Sequence, residues 1–587
     1  MALAISIRWV NNEISMTDAL LQTAFSAQQS GDLVSAEQLY QKIIALHPQD
    51  ETSHCCLADV QRLLGKFDKA AHNYQRVLQI NKNNAGAWTN LGAMYWSRGK
   101  LSEALACTQQ VIQLCPDFSE AYNNLGCIAK NQGNLQSALV AFRQAITLRP
   151  NYHAAHSNYL FALNYLPNLS PEEIFAKHKS FSPCCHPEPK AKDLTASAVS
   201  GRSFTDVQDD KSNRGQGAAR SAPTNRKIKV GYLSPDFRTH SVAYFIEPIL
   251  AHHNPDQFEV FCYADVPHPD LTTQRLKGLV PHWHDTHPLS DSELFDLIRS
   301  HQLDILVDLA GHTASNRLPI FAQRAAPIQV TYLGYPNTTG LSQIDYRLTD
   351  PIADPPDQDT LYTEKLYRLP HGFLCYQPPP NAPDINPLPA LHNGFITFAS
   401  CNALPKINPE VISLWSQILN AVPHSRLLLK NSSFSDAATN QHYLQLFSQH
   451  GISPDRLSLL GWSKDTASHL SIYHQIDIAL DTFPYNGTTT TCEALWMGVP
   501  VITLQGNRHA GRVGMSVLEN ANCPQGITSS LQDYCLRAVD LAQDLTKLTQ
   551  LRQGLQTKLR HANILNPYSF ISSIETAYRE MLNMSGL

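Results

Sequence analysis

The pattern of apolar and polar positions changes character twice along the chain. Up to residue 167 it repeats with a long fixed period. From Lys227 onward it breaks into short β-rich apolar runs separated by helical stretches. Between the two, residues 185–226 are rich in Ser, Ala, Asp, Lys, Gly and Pro and hold one aromatic side chain. Such a segment cannot bury enough apolar area to offset its ordering entropy. The sequence predicts a disordered linker or a mobile surface insertion there.

The first pattern is an internal repeat. Gly31, Gly65, Gly99 and Gly133 are 34 residues apart, as are Ala36, Ala70, Ala104 and Ala138. Residues 87–116 recur as 121–150, each stretch closing on a proline, Pro116 or Pro150. Small Gly and Ala let paired helices approach closely, and proline ends the second helix because it cannot continue one. Four helical hairpins are expected, near 17–50, 51–84, 85–118 and 119–152, with one more helix over 153–167. Stacked hairpins form a solenoid with a concave surface suited to extended partners. Asn90, Asn124 and Asn158 share one register of the repeat. Their amides could each pair with the backbone of an extended peptide, or could simply be solvated. The two readings stand level.

The second pattern predicts strands at 227–234, 258–264, 304–309 and 328–335. A further series follows at 395–400, 425–431, 457–462, 476–482 and 499–504, with a helical tail over 531–586. Alternating strands and helices point to parallel sheets. Two consecutive doubly wound halves, 227–380 and 395–587, imply a cleft between them, with ligands at the carboxyl ends of the strands. Residues 168–226 would be a transition helix and the linker.

Composition narrows the function. The chain has 587 residues, a formal charge of −5, 43% apolar and only 16% charged residues. Bulk electrostatic binding of nucleic acid is not expected at that charge. The longest apolar runs are strand-sized, short of the ~20 residues of a membrane span, and no signal-peptide h-region develops at the N-terminus. The 13 cysteines are odd in number and contain no CxxC pair, so neither a disulfide framework nor a structural zinc site is expected. These features read as a cytoplasmic protein.

The richest chemistry lies in 481–504, DTFPYNGTTTTCEALWMGVPVITL. A strand ends at Asp481, an Asn-Gly turn follows, and Thr488, Thr489, Thr490 and Thr491 open a helix. Free N–H groups and hydroxyls at a positive helix end suit a phosphate or pyrophosphate. Ordinary threonine capping is the simpler alternative. Glu493, one turn in, could accept from ribose hydroxyls. Lys406 follows the first strand of the second half and could neutralise a leaving phosphate. His469 precedes the strand that leads to Thr488. In the first half, His240 follows a strand and could hold a phosphate or act as a base. His312 and Thr313 stand at another strand end, with Tyr335 and Pro336 in a loop on the same rim.

The strings VGYLSPDF…H, DLAGHT, APIQVTYLGYPNTTG, DYRLTDP and the 481–504 segment, behind tetratricopeptide-type repeats, resemble the O-linked N-acetylglucosamine transferase family. The resemblance covers nearly the whole chain outside 185–226. It implies an all-α tetratricopeptide-repeat solenoid followed by an α/β GT-B region of two Rossmann-like halves. It further implies inverting, metal-independent transfer of one sugar to Ser or Thr hydroxyls of protein acceptors held by the repeat groove. The donor is a nucleotide sugar, UDP-N-acetylglucosamine first, with GDP-fucose, the donor of the plant branch, as the alternative. A scaffold with an inactive transferase half is the remaining reading. No cofactor is expected beyond the donor substrate, and no nucleic-acid or membrane partner.

Carried over by position, His240 matches the family's active-site histidine and Lys406 its phosphate-stabilising lysine. His469 matches a nucleotide-contacting histidine, Thr489 and Thr490 the paired phosphate-binding threonines, and Glu493 the acidic ribose position. The animal enzymes have His at the place of Thr488, Gln at Ala403, Lys at Thr466 and Asp at Glu493. Only about 15 residues, 380–394, join the two halves, so the animal intervening domain is missing.

Overall fold

The computed structural model describes residues 17–181 and 226–586. The linker expected over 185–226 lies, but for Arg226, outside the described residues. Two compact units form: one holds residues 17–128, the other 129–181 and 226–586. The division falls inside a repeat helix.

The repeat folds as helical hairpins. Helices α1 (17–29), α2 (Leu33–Leu46), α3 (Glu51–Leu63), α4 (Phe67–Ile80), α5 (Ala85–Ser97) and α6 (Leu101–Leu114) belong to the first unit, with most of α7 (Ser119–Asn131). The second unit begins with α8 (Leu135–Leu148), α9 (His153–Leu163) and α10 (Pro171–Lys179). Gly31, Gly65, Gly99 and Gly133 each adopt φ between 72° and 84°. That is the left-handed region glycine enters at no steric cost, and it explains their spacing. Ala36, Ala70, Ala104 and Ala138 are fully buried where paired helices meet. Asp32, Asp50, Asn84 and Asn134 cap the helices that follow them.

The second unit continues into two parallel sheets. The first contains β1 (Ile228–Ser234), β2 (Phe258–Ala264), β3 (His282–Asp285), β4 (Ile305–Asp308), β5 (Ile328–Thr331), β6 (Tyr346–Thr349) and β7 (Lys365–Arg368), in the order β3-β2-β1-β4-β5-β6-β7. The second contains β8 (Thr397–Ser400), β9 (Arg426–Lys430), β10 (Leu457–Leu460), β11 (Ile478–Leu480), β12 (Val501–Leu504) and β13 (Ile527–Thr528), in the order β10-β9-β8-β11-β12-β13. Both are doubly wound. The strand order reverses between β1 and β4 and again between β8 and β11, where such sheets bind ligands.

The run at 258–264 is a strand over its whole length, and the other expected runs hold strands that are shorter than expected. The run at 328–335 stops at Thr331 because Leu333 takes φ 72°, which an extended strand does not allow. Strands β3, β6, β7 and β13 extend the sheets beyond the expected set.

The helical tail is three helices, Leu531–Gln543, Leu545–Arg560 and Pro567–Met584. The last returns to the first sheet's side of the unit. Glu575 accepts from the Asn254 N–H at 2.7 Å and pairs with His253 at 3.2 Å, and Tyr578 meets Tyr232 hydroxyl to hydroxyl at 3.1 Å. Tyr232, Phe245, Trp496, Val513, Ile574 and Met581 accordingly share one apolar core. A second core lies around Trp415, fully buried on the helix Pro409–Ala421. No described helix is long and apolar enough to cross a membrane. Every described cysteine is a free thiol.

Candidate active site

The two switch points face a shared cavity of about 260 Å³. It is lined from the first half by His240, Ser241, Gly334 and Pro336, and from the second by Asn402, Ala403, Lys406, Tyr485, Thr488, Thr489, Thr490 and His509. Residues far apart in sequence meet because each follows a strand: His240 after β1, Lys406 after β8, the threonines after β11.

The turn between β11 and the threonine helix is held from within. Asp481 accepts from the N–H groups of Thr482 at 2.8 Å and Gly487 at 2.6 Å, and from the Thr503 hydroxyl at 2.7 Å. Burial raises its carboxyl to about 6, opposed by the Gly487 N–H. Asn486 donates to the Thr482 carbonyl at 2.8 Å and accepts from the Gly514 N–H at 3.2 Å. Gly487 permits the close approach: a Cβ there would lie 2.4 Å from Thr490 Oγ1 and 2.9 Å from Thr491 Oγ1.

The helix runs Thr489–Trp496, and Thr488 at its N-cap makes no side-chain capping bond. The threonine run is therefore not used as an ordinary cap. Thr488, Thr489 and Thr490 line the cavity, and the first N–H groups of a helix have no partner within it, an arrangement suited to an anion. Thr490 donates to Asn402 Oδ1 at 3.1 Å. Thr491 is buried and does not line the cavity.

Lys406 reaches the same place from the short turn Leu404–Lys406. Its Nζ donates to the Asn486 carbonyl at 2.6 Å and lies 3.9 Å from the centre of the Tyr485 ring. Burial pulls the ammonium down to about 8, opposed by Asp481. His240 Nδ1 accepts from the Val242 N–H at 3.3 Å and lies 3.5 Å from Asp236. Burial lowers the imidazole below its usual value, against the pull of Asp236.

His469 and Glu493 form a pair, His469 Nε2 to Glu493 Oε2 at 3.0 Å, with the Tyr473 hydroxyl donating to the same oxygen at 3.3 Å. His469 Nδ1 is buried without a partner. Neither residue lines the 260 Å³ cavity, although Thr490 links the two places along one helix.

The other rim residues divide. Pro336 lines the cavity, whereas His312, Thr313 and Tyr335 do not. His312 is fully buried, with Nδ1 on the Ser157 hydroxyl at 3.0 Å and Nε2 on the Thr339 carbonyl at 2.8 Å. Tyr335 is held by His178 at 2.6 Å and Asn164 at 3.1 Å. Thr313 donates to the Ala310 carbonyl at 2.9 Å. His312 and Tyr335 anchor α9 and α10 to the first sheet, whereas the bond of Thr313 is local.

Asn90, Asn124 and Asn158 are half-buried on α5, α7 and α9, the first helices of successive hairpins. The Asn90 amide donates to Asp59 at 3.1 Å.

His509 is a cavity residue that sequence reasoning missed. It pairs with Asp354 at 2.7 Å through Nδ1, lies 3.4 Å from Arg347 through Nε2, and meets Phe373 edge-on. Burial pushes Asp354 up, but the contact with His509, the Arg347 charge and the Thr349 hydroxyl hold it well below the ordinary carboxylate range. The only sequence signal was its position just beyond β12. Among the described residues, no group of three or more His, Cys, Asp or Glu side chains could hold a metal ion.

Comparison with known proteins agrees with this geometry. The model of glycosyl transferase family 41 matches residues 212–377 and 388–574. Tetratricopeptide-repeat models match 18–50, 58–97, 85–118 and 119–152. A tomato (Solanum lycopersicum) protein described as a probable UDP-N-acetylglucosamine–peptide N-acetylglucosaminyltransferase, SPINDLY, is 44% identical over 360 residues, covering 61% of this chain and 39% of its own. An Arabidopsis thaliana protein of the same description, SEC, is 31% identical over 369 residues, 61% of this chain and 37% of its own. The chain thus aligns with about two fifths of the length of these plant relatives. The structure of a mutant O-GlcNAc transferase from Thermobaculum terrenum superposes with a TM-score of 0.79 at 32% identity, covering 98% of both chains. With a family model matching well over half its length behind the repeats, the chain belongs to glycosyl transferase family 41.

Proposed function

We propose that the protein is an inverting O-glycosyltransferase that moves one sugar from a nucleoside diphosphate sugar to Ser or Thr hydroxyls of a protein. The observation that carries this reading is the convergence of Lys406 and an uncapped, threonine-lined helix end on one cavity between two Rossmann-like halves. The acceptor oxygen forms its bond to the anomeric carbon from the face opposite the diphosphate. The bond from that carbon to the diphosphate oxygen breaks, and the hydroxyl proton leaves. The catalytic task is to place both reactants and to stabilise the charge that develops on the leaving diphosphate. Lys406 and the N–H groups at the start of Thr489–Trp496 carry the second part, without a metal. In the neutral ring, the Val242 N–H on Nδ1 leaves Nε2 of His240 protonated. As a donor it suits a phosphate or sugar oxygen, which favours orientation of the donor over proton abstraction.

Asn90, Asn124 and Asn158 are assigned to the acceptor polypeptide, and Glu493, oriented by His469 and Tyr473, to the ribose. The donor is read as UDP-N-acetylglucosamine, the donor that the plant relatives' descriptions name. GDP-fucose is the second reading, favoured by the four-threonine run and by Ala403, which brings no polar side chain to the cavity. Base recognition rests on a few hydrogen bonds, and unpaired polar groups discriminate strongly. Calorimetric titration with UDP and with GDP should therefore show one clear preference. Tighter UDP binding and N-acetylglucosamine on acceptor peptides support the first reading, and tighter GDP binding with fucose on the products overturns it. Binding of neither would leave an inactive scaffold.

The Lys406 ammonium also sets a pH dependence. A lysine that loses its proton near 8 no longer attracts a diphosphate above that pH. The kcat/KM for the donor should fall as pH rises through about 8, reporting the free enzyme. Lys406→Arg should remove this alkaline limb, and an unchanged limb in that variant would assign it to another group.

A further inference from the structure

We propose that Tyr165, at the exit of the last repeat helix, is a positioning residue for the transferase site. It fixes the Tyr485 ring, which in turn holds the Lys406 ammonium. The proposal rests on the reading of Lys406 given above.

The chain of contacts is continuous within the second unit. Tyr165 and Tyr485 stack with ring centres 5.2 Å apart and planes 20° apart. Phe161, one helical turn earlier, meets Tyr165 at 5.4 Å and the edge of Tyr485 at 6.4 Å. On the cavity side, Lys406 Nζ sits 3.9 Å from the centre of the Tyr485 ring. An ammonium over an aromatic face is attracted by the ring's quadrupole, more strongly when water is excluded. Of the three N–H donors of the ammonium, one goes to the Asn486 carbonyl at 2.6 Å. The ring face is thus the second restraint on the charge.

The backbone of the turn is fixed independently of Tyr165, since the Thr482 hydroxyl donates to the Tyr485 carbonyl at 2.8 Å and Asp481 holds Gly487. What the helical array supplies is the orientation of the ring. The chain just after α9 is itself held there by Arg508, which donates to the carbonyls of Asn164 at 3.2 Å and Leu166 at 2.7 Å, on either side of Tyr165. Misplacing a reacting or stabilising group by about 1 Å can cost 10²-fold in rate. A residue of the helical array therefore conditions turnover without touching either substrate.

The test uses the full chain. Tyr165→Phe keeps the stacked ring, Tyr165→Leu keeps bulk without stacking, and Tyr165→Ala removes both. Tyr165→Leu and Tyr165→Ala should lower kcat for nucleotide release at least tenfold with donor KM changed much less, while Tyr165→Phe stays within about twofold. In a double-mutant cycle the loss should vanish on the Lys406→Ala background. Losses that multiply there, or a folded Tyr165→Leu with wild-type kcat, would overturn the proposal. Isotope-coded acylation of Lys406, read by mass spectrometry, separates this outcome from failure of the catalytic reading. Its rate should change severalfold in Tyr165→Leu and not in Tyr165→Phe, whether or not Lys406 contributes to turnover. An unchanged rate in Tyr165→Leu counts against Tyr165 as a positioning residue.

Discussion

Replacing Lys406 by alanine should lower kcat by about 10²–10³-fold, because removing one preorganised contact to a developing anion costs about that much. The side chain enters a preformed place: its ammonium is already on the Asn486 carbonyl and the Tyr485 ring. Little reorganisation then accompanies the reaction. Stability should change little, because the lysine is partly exposed to the cavity and lies outside both cores. Nucleotide release and thermal melting measured on the same sample test both halves of this expectation. A near-normal rate in Lys406→Ala would place the leaving diphosphate elsewhere.

Gly487→Ala should be nearly as costly, although a single methyl is added and no charge is lost. The new Cβ would fall 2.4 Å from Thr490 Oγ1, 2.9 Å from Thr491 Oγ1 and 3.2 Å from Asn402 Oδ1. Threonine side chains at the start of a helix have few alternative rotamers. The turn or the helix end must therefore shift, and with it the threonines that line the cavity. A loss of about 10²-fold in kcat/KM is expected for a displacement near 1 Å. Weaker binding of the free nucleoside diphosphate should accompany it, since the damage is to the anion site. Wild-type nucleotide affinity in Gly487→Ala would show that the threonine helix end does not hold the phosphates.

The sequence showed these features unevenly, for physical reasons. The 34-residue period was legible because each hairpin needs a left-handed glycine and a small buried alanine, and those requirements are local. Strands β1, β2, β4 and β8 were legible because buried parallel strands read as apolar runs. Strand β3, His-Trp-His-Asp, was not, because it is a polar edge strand. Lys406, His240 and Thr488–Thr490 could be found from their places after strands, which is where doubly wound sheets bind ligands. His312 and Tyr335 occupy equivalent places, yet α9 and α10 cover them. That cover is a long-range packing event with no local signature. His509 shows the converse: its role in the cavity depends on Asp354 and Arg347, about 155 and 162 residues away.

The return of the helix Pro567–Met584 to the first sheet has a consequence for synthesis. The core around Tyr232 and Phe245 is completed by Ile574, Tyr578 and Met581, which leave the ribosome roughly 200 residues after the first half's last strand. At 5–20 residues per second that is a delay of about 10–40 s. During this interval the nascent first half exposes the apolar face that this helix later covers. The first half's core is thus completed only once the second half has been made, even though the two halves look from their topology like units that could fold in turn.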